Sequence, residues 1–226
     1  MNQILYEDED MILFQKPAGI PSQTGRLKEK DVVSILKNYR AGKGEEPYIA
    51  LIHRLDQPVE GILLAAKTKE AAAELSRQSA GCEMDKYYRA MVHNRSTEPL
   101  VQGQTGKLTD YLLKNGKTNC SSVVNEGTKG AKKAALQYEV LRAGEELADL
   151  SIKLETGRHH QIRVQMANAG FPLVGDFKYG RKTADKPQGE RKYAALCFVK
   201  IGFLHPATKK RMEFEIEPEN SAFQLL

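Results

Sequence analysis

The sequence is poor in the residues and patterns that mark several common classes of protein. It has only three cysteines among 226 residues, an odd number, and they stand far apart. A disulfide framework and a zinc site of closely spaced cysteines are therefore excluded, and this usage fits a reducing cytoplasm. No apolar run reaches the roughly 18 residues that a membrane helix needs. The chain does not start with a basic segment followed by an apolar one, so we expect no secretory signal.

Motifs for nucleotide and metal cofactors are missing too. The phosphate-binding pattern GxxxxGK[ST], the dinucleotide pattern GxGxxG and the hydrolase pattern GxSxG do not occur. The metalloprotease pattern HExxH and the HxE and PCxxC pair of zinc deaminases are absent as well. We therefore expect a chemistry that uses neither a cofactor nor a metal.

What is present is the composition of a soluble globular domain. Hydrophobic residues make up 41% and charged residues 28%, and the net charge of +5 permits a polyanionic partner without requiring one. We expect one domain over residues 1–226. Residues 115–133, rich in Gly, Asn, Ser, Thr and Lys, predict a long loop or a joint between two subdomains.

Apolar patterning predicts an α+β fold with a mostly antiparallel sheet. Strands are predicted over residues 4–6, 11–15, 48–52, 62–67, 87–92, 136–141, 147–154, 194–203 and 212–216. Helices are predicted over residues 31–39 with Asp31 as N-cap, over 69–80 between Thr68 and Gly81, and over 160–169.

Two polar segments stand out against this background. His53-Arg54-Leu55-Asp56 places a base, a cation and a carboxylate in one turn that Pro58 and Gly61 stiffen. A solvated loop with a surface Asp–Arg pair explains the same residues. The segment 157–164 places two arginines, two histidines and a glutamine at the start of a predicted helix. Cations are disfavoured at that helix end unless an anion offsets them, which favours an anion-binding site over an exposed basic turn.

The third segment is the strand around Tyr88. Alternation puts Lys86, Tyr88 and Ala90 on one face of it. A tyrosine between cations can stack on a nucleobase, whereas a strand tyrosine is more often part of the core.

Taken together, these segments resemble the RluA-type RNA pseudouridine synthases, which isomerise uridine in ribosomal and transfer RNA. The resemblance covers nearly the whole chain, from Phe14 to Pro206. Its motifs are Phe14-Gln15-Lys16-Pro17-Ala18-Gly19-Ile20-Pro21, His53-Arg54-Leu55-Asp56 with Gly61-Ile62-Leu63-Leu64, Lys86-Tyr87-Tyr88-Arg89-Ala90, Gly157-Arg158-His159-His160-Gln161-Ile162-Arg163, Gly170-Phe171-Pro172-Leu173-Val174-Gly175-Asp176, Tyr179-Gly180 and Leu204-His205-Pro206. Val59-Glu60 replaces the family's usual Thr-Ser, and His159 its common Thr. These departures concern the RNA subfamily and not the reaction.

The resemblance implies a fold, a reaction and roles for particular residues. The fold is the pseudouridine synthase fold, a curved mixed sheet with flanking helices and a central cleft. Asp56 is implied as the catalytic carboxylate, Tyr88 as the residue that packs on the flipped uracil, and Arg163 as the partner of Asp56. The implied RNA contacts are His53, Arg54, Arg158, His160, Gln161 and Lys16, with Ile62 and Leu154 in the pocket wall.

The first motif begins at Phe14, so we expect no small RNA-binding module of the S4 type before it. RNA selection is then expected from the catalytic domain or its loops. We expect the protein to act in the cytoplasm, as a monomer, on ribosomal or transfer RNA. Two other hypotheses remain at this point: a non-catalytic RNA-binding or ribosome-assembly protein, and a glycosylase that releases free uracil.

Overall fold

The computed structural model describes residues 3–24, 30–180 and 193–226. In this part of the chain the strands are β1 (Ile4–Glu7), β2 (Met11–Lys16), β3 (Ala50–Leu51), β4 (Glu60–Ala66), β5 (Asp85–His93), β6 (Thr105–Asn115), β7 (Cys120–Val124), β8 (Lys132–Ala143), β9 (Leu147–Leu154), β10 (Leu196–Leu204) and β11 (Arg211–Glu215). The helices are α1 (Val32–Gly42), α2 (Lys69–Ala80) and α3 (Gln161–Asn168), with a final 3₁₀ helix (Ser221–Gln224). The mostly antiparallel pairing and the three α-helices confirm the predicted α+β class.

The chain divides into two compact units. Unit 1 comprises Met1–Lys86 and Phe198–Glu217, and unit 2 comprises Tyr87–Cys197 and Pro218–Leu226. The division falls at residues 86/87, 197/198 and 217/218, whereas the sequence suggested a joint near residues 115–133.

Unit 1 is built on the strand order β1-β2-β4-β10, with β11 beside β10 and β3 beside β4. Residues 11–14 of β2 and 62–66 of β4 are fully buried. Short continuous apolar runs of this kind are typical of strands covered on both faces. The two strands pair antiparallel, so β2 and β4 form the core of the unit, and the segments that follow β2 and precede β4 meet at the same end.

The two helices of unit 1 begin at the predicted caps. The Asp31 carboxylate accepts a hydrogen bond from Ser34 N, and the Ser34 hydroxyl oxygen accepts one from Asp31 N, which makes a capping box. The Thr68 hydroxyl accepts from Ala71 N, and α2 ends at Gly81 as its sequence predicts. Side-chain oxygens at these positions satisfy helix N–H groups that have no partner within the helix.

Unit 2 contains the strand order β5-β9-β8-β6-β7, an antiparallel sheet in which α3 packs against β6 and β7. The hairpin of β8 and β9 around Gly144 confirms the prediction for this region. Gly170, at φ 91°, follows α3 in the backbone region that favours glycine, and this is where the sequence predicts that the helix ends.

Residues 115–133 are not the long loop that their composition predicts. They contain the turn after β6, all of β7 and the start of β8, and both strands pair with β6. Main-chain hydrogen bonds hold this edge of the sheet, and its side chains are largely exposed. The alternation of apolar and polar residues that predicts a half-buried strand is therefore missing here, and the composition predicts a loop instead.

None of the helices in the described ranges is long and apolar enough to cross a bilayer. The predicted strand over residues 48–52 is shorter than expected, with only Ala50 and Leu51 in regular pairing.

Candidate active site

The predicted catalytic aspartate lies on the loop between β3 and β4 in unit 1. Leu55 is buried and Asp56 is half-buried. Arg54 is exposed, and its predicted contact with RNA stays a prediction. Val59 N donates to the Asp56 carbonyl at 3.0 Å, which closes a tight turn after the aspartate. Asp56 therefore sits on a short segment whose backbone path is fixed on its C-terminal side.

A second set of hydrogen bonds fixes this loop to the segment that follows β2. The Ser22 hydroxyl accepts from Leu55 N at 3.0 Å and donates to Leu55 O at 2.7 Å. Gly19 N donates to Gln57 O at 2.7 Å, and Gln57 Nε2 returns a bond to Gly19 O at 3.0 Å. The residues on both sides of Asp56 are thus held by groups from the same neighbouring segment.

The hydrogen bonds of Gly19 and Ser22 with Gln57 and Leu55 are called the clamp below. Lys16 joins the same two segments. Its side chain is fully buried, and its ammonium donates to Pro17 O at 3.0 Å, Ile20 O at 2.7 Å and Gln57 O at 3.3 Å. An ammonium held inside the protein by three carbonyls does not fit the predicted contact with RNA phosphates. Its position fits a role in joining the two segments.

The charge of this lysine is balanced by two carboxylates, one on the loop and one at the start of β4. Burial lowers the Lys16 pKa to about 8, and the nearby charges of Asp56 and Glu60 oppose this shift. Glu60 itself is buried. The family's usual residue at this position is Ser, so the substitution noted in the sequence adds a buried charge beside Lys16.

Gly61, which follows Glu60, has a steric reason to be glycine. Its φ of 128° is disfavoured for other residues, and a Cβ atom there would lie 2.4 Å from Phe198 N. The close approach of β4 to β10 therefore requires glycine at this point of the motif.

His53 faces the strand that follows the loop. Its Nε2 accepts a hydrogen bond from Leu64 N at 3.3 Å, and its ring meets the Phe198 ring edge-on at 5.1 Å. Desolvation, followed by the charge of Lys86, lowers the His53 pKa to about 3. A neutral imidazole bonded to a strand N–H does not fit the predicted RNA contact, and it anchors the loop to β4 instead.

In unit 2 the predicted catalytic arginine forms a buried ion pair. Arg163 Nε and Nη2 donate to Asp176 Oδ2 at 2.7 Å and Oδ1 at 2.8 Å, and the Arg163 side chain is only 5% exposed. The guanidinium also lies 5.2 Å from the centre of the Tyr179 ring. Asp176 ends the motif that begins at Gly170, and the sequence alone predicts no role for it. The expected pairing of Arg163 with Asp56 stays a prediction, because Asp56 belongs to unit 1.

Tyr179 links three parts of unit 2. Its hydroxyl accepts from Ser121 N on β7 at 2.8 Å and lies 2.6 Å from His160 Nδ1. Desolvation raises the Tyr179 pKa to about 12, so the hydroxyl is protonated at neutral pH. His160, a predicted RNA contact, is therefore oriented by a protein hydroxyl, and its ring stacks on His159.

The other predicted contacts at the start of α3 differ in exposure. Gln161 is buried; its Oε1 accepts from Arg158 N and Thr156 Oγ1, and its Nε2 donates to Ala135 O. All of these bonds are internal, so Gln161 shapes the turn rather than presenting a group to RNA. Arg158 is exposed, and its Nε donates to Lys133 O at 2.9 Å.

Tyr88 and Leu154 lie on neighbouring strands of unit 2. Tyr88, in β5, is 8% exposed and pairs in register with Ile152 of β9. Leu154, at the end of β9, is half-buried. Unit 2 therefore holds Tyr88, Leu154 and Arg163, whereas unit 1 holds Asp56.

One group in unit 1 has the residue types of a metal site. Ligand atoms of Asp8, Asp10 and His205 lie within 4.8 Å of one another. The His205 Nδ1 accepts from Ala207 N and Thr208 N, and its Nε2 lies 2.8 Å from Asp8 Oδ2. Because Nδ1 accepts, the ring proton is on Nε2, which donates a hydrogen bond to Asp8. The imidazole is thus used by hydrogen bonds that order the loop after β10.

We expect Ser22→Ala to lower the free energy of unfolding by about 1–3 kcal/mol, because it leaves the buried Leu55 N–H and C=O unsatisfied. Urea denaturation measures this, and Ser76→Ala on the exposed side of α2 is the matched control. The control is expected to be neutral or slightly stabilising, since alanine favours the helix. Equal stability of both variants would contradict the clamp.

The sequence model of the family described as "RNA pseudouridylate synthase" matches residues 10–168. The chain is 30% identical over 224 residues to "Ribosomal large subunit pseudouridine synthase D" of Zymomonas mobilis, covering 95% of this chain and 68% of that protein. It is 32% identical over 225 residues to an uncharacterized RNA pseudouridine synthase of Bacillus subtilis, covering 97% and 70%.

Two solved human structures share the fold. RNA Pseudouridylate Synthase Domain Containing 4 superposes with a TM-score of 0.75 at 19% identity, covering 96% of this chain and 89% of that one. RNA Pseudouridylate Synthase Domain Containing 1 gives 0.73 at 22% identity, covering 96% and 83%. The family match includes the loop of Asp56, the strand of Tyr88 and Arg163. The fold agrees along nearly the whole chain. The chain therefore belongs to the RNA pseudouridine synthases of the RluA type, which are isomerases.

Proposed function

We propose that this RNA pseudouridine synthase uses Asp56 to isomerise uridines in structured RNA, after flipping the target base out of its stack. Ribosomal and transfer RNA are both candidate substrates. The relative from Zymomonas mobilis is named a ribosomal large subunit pseudouridine synthase, which favours the RNA of the large ribosomal subunit. We further propose that the enzyme acts in the cytoplasm as a monomer.

The observation that carries this proposal is the clamp around Asp56. Catalysis needs a carboxylate held in place before the substrate arrives, because positioning lowers the entropic part of the barrier. The bonds from Ser22 to Leu55 and from Gly19 to Gln57 fix the two neighbours of Asp56. A surface loop with an incidental ion pair needs no such attachment.

The proposed reaction balances without a cofactor. The bond between N1 of uracil and C1′ of ribose breaks, the base turns, and a bond forms between C5 and C1′. The C5 hydrogen leaves as a proton and N1 takes one up, so no electrons are gained or lost. Asp56 acts on the target nucleotide, and Tyr88 packs against the flipped uracil. Stacking offsets an extrusion cost of roughly a few kcal/mol.

Release of tritium tests this function directly. Purified protein is incubated with unmodified cellular RNA that carries tritium at C5 of uridine. The expected result is tritium in water together with pseudouridine in the digested RNA. Binding without release would favour the non-catalytic RNA-binding protein, and free uracil would identify a glycosylase.

RNA is further proposed to be held by the lysines around β7. The described members of this group are all exposed: Lys114, Lys117, Lys129, Lys132 and Lys133. The basic residues Arg181, Lys182, Lys186, Arg191 and Lys192 belong to the same proposal and lie outside the described residues. Exposed lysines on strands β6 and β8 and on the two turns that flank β7 suit the phosphates of RNA.

We expect the RNA dissociation constant to rise by about a hundredfold between 50 and 200 mM salt if all five lysines bind phosphates. Neutralising two of them, as Lys129→Gln with Lys132→Gln, should reduce the slope of log K against log salt by about two. The matched control is Lys69→Gln in α2, which should leave the slope unchanged. A flat salt dependence of the unaltered protein would reject this binding surface.

A further inference from the structure

Phe177 is an aromatic side chain that the fold leaves in solvent. It is 55% exposed, whereas the other six phenylalanines of the chain are buried or half-buried. It lies on the turn that follows Gly175 in unit 2. A large apolar side chain exposed beside a functional site is informative in a way that scattered surface residues are not.

The turn that carries Phe177 is rigid. Asp176 Oδ1 accepts hydrogen bonds from Lys178 N at 3.0 Å and Tyr179 N at 3.3 Å, and Gly180 N donates to Asp176 O at 2.8 Å. The same carboxylate is held by the buried guanidinium of Arg163. Phe177 is thus displayed from a fixed backbone, so little conformational entropy is lost when a ligand packs on it.

Lysines lie next to Phe177 in the sequence and on the turn that Lys178 contacts. Lys178 is exposed, and its ammonium donates to Asn119 O at 2.9 Å in the turn between β6 and β7. The same turn carries the exposed Lys117, and Lys114 precedes it on β6. A single aromatic ring among lysines is too small and too charged for a protein interface. It has the composition of a site for single-stranded nucleic acid, in which bases stack and cations attract phosphates.

We propose that Phe177 is a stacking platform for an unpaired nucleobase of the RNA substrate. The inference rests on the proposed function and deepens it, because it places a specificity contact beside the Arg163–Asp176 pair. The platform holds a nucleotide other than the uridine being isomerised, which Tyr88 receives. Lys178 and Lys117 attract the phosphates of the same strand.

The test compares three substitutions with a matched control. Phe177→Ala removes the ring, Phe177→Leu keeps an apolar side chain without a ring, and Phe177→Tyr keeps the ring. Val101→Ala truncates another exposed apolar residue of unit 2, one that is 60% exposed and has no lysine or arginine within three residues of it in the sequence. RNA affinity, KM and kcat are measured by titration and by tritium release.

Phe177→Ala and Phe177→Leu are expected to raise KM and the RNA dissociation constant by about 5- to 150-fold, the range for loss of one base stack. The kcat at saturating RNA should change by no more than about twofold, because the ring does not touch the reacting atoms. Phe177→Tyr and Val101→Ala should behave like the unaltered protein. A folding defect alone would affect Phe177→Ala and Phe177→Leu equally. It would lower the fraction of active enzyme rather than raise KM.

Three results would overturn the inference. With an active wild-type enzyme, an unchanged KM in Phe177→Ala removes Phe177 from RNA binding and leaves the proposed function intact. Full affinity in Phe177→Leu shows an apolar contact and not a stack. Absence of tritium release from the wild type, with RNA binding intact, refutes the proposed function and this inference with it.

Discussion

Asp56→Asn is expected to reduce pseudouridine formation by at least about a thousandfold while RNA affinity stays within about threefold. The substitution preserves the size of the side chain but removes its negative charge. The bonds that fix the loop come from Ser22, Gly19 and the backbone, and they do not use the Asp56 carboxylate. The fold of the loop should therefore survive, and the loss should appear in kcat.

The measurement is tritium release under single-turnover conditions, with RNA affinity determined separately by titration. Glu46→Gln removes a negative charge from an exposed position of unit 1 and is the matched control. It should retain the activity of the unaltered protein. Residual turnover of Asp56→Asn within tenfold of wild type would assign the chemistry to another group.

Much of the fold could be predicted because local rules decide it. Thr68 and Gly81 bound α2 since a hydroxyl cap and a glycine are what helix ends require. The short continuous apolar runs of β2 and β4 predict strands that are covered on both faces. The family motifs identify Asp56 and Arg163 as the candidate catalytic residues, and these roles stay predictions.

The roles of buried polar residues could not be predicted in the same way. Lys16, His53 and Gln161 have the side chains of RNA contacts, but each is bonded to backbone groups of the protein. Residue type predicts exposure for such side chains, whereas a backbone carbonyl or N–H that turns inward needs a partner. Ser22 shows the converse, because a lone serine in a loop gives no signal that it fastens the residue before Asp56.

The strand β7 escaped prediction for another reason. At the edge of a sheet the main chain supplies the pairing energy, and few side chains need to be apolar. Residues 115–133 have the polar composition of a loop, but they form the hydrogen bonds of a hairpin. Their exposed lysines are consequently displayed on a regular frame, which strengthens the case for an RNA-binding surface.

Asp176→Asn is expected to lower the free energy of unfolding by about 3–5 kcal/mol, a large part of the about 5–15 kcal/mol that holds a typical domain together. It leaves the charge of the 5%-exposed Arg163 side chain without its bidentate carboxylate. Urea denaturation is the measurement. Glu146→Gln breaks the pair of Glu146 with Arg95, whose side chains are about half or more exposed, and should cost no more than about 1 kcal/mol.

A double substitution separates the contribution of this pair to stability from the catalytic role that is predicted for Arg163. Arg163→Met with Asp176→Asn removes both charges, so no buried charge is left without its partner, and the amide oxygen at position 176 can still accept from Lys178 N and Tyr179 N. We expect it to recover most of the stability that Asp176→Asn loses, but to remain inactive because the guanidinium is gone. Recovery of both stability and turnover would show that Arg163 serves only the fold. If Asp176→Asn and Glu146→Gln lower the free energy of unfolding equally, another group must balance the charge of Arg163. The arginine would then keep its position without Asp176.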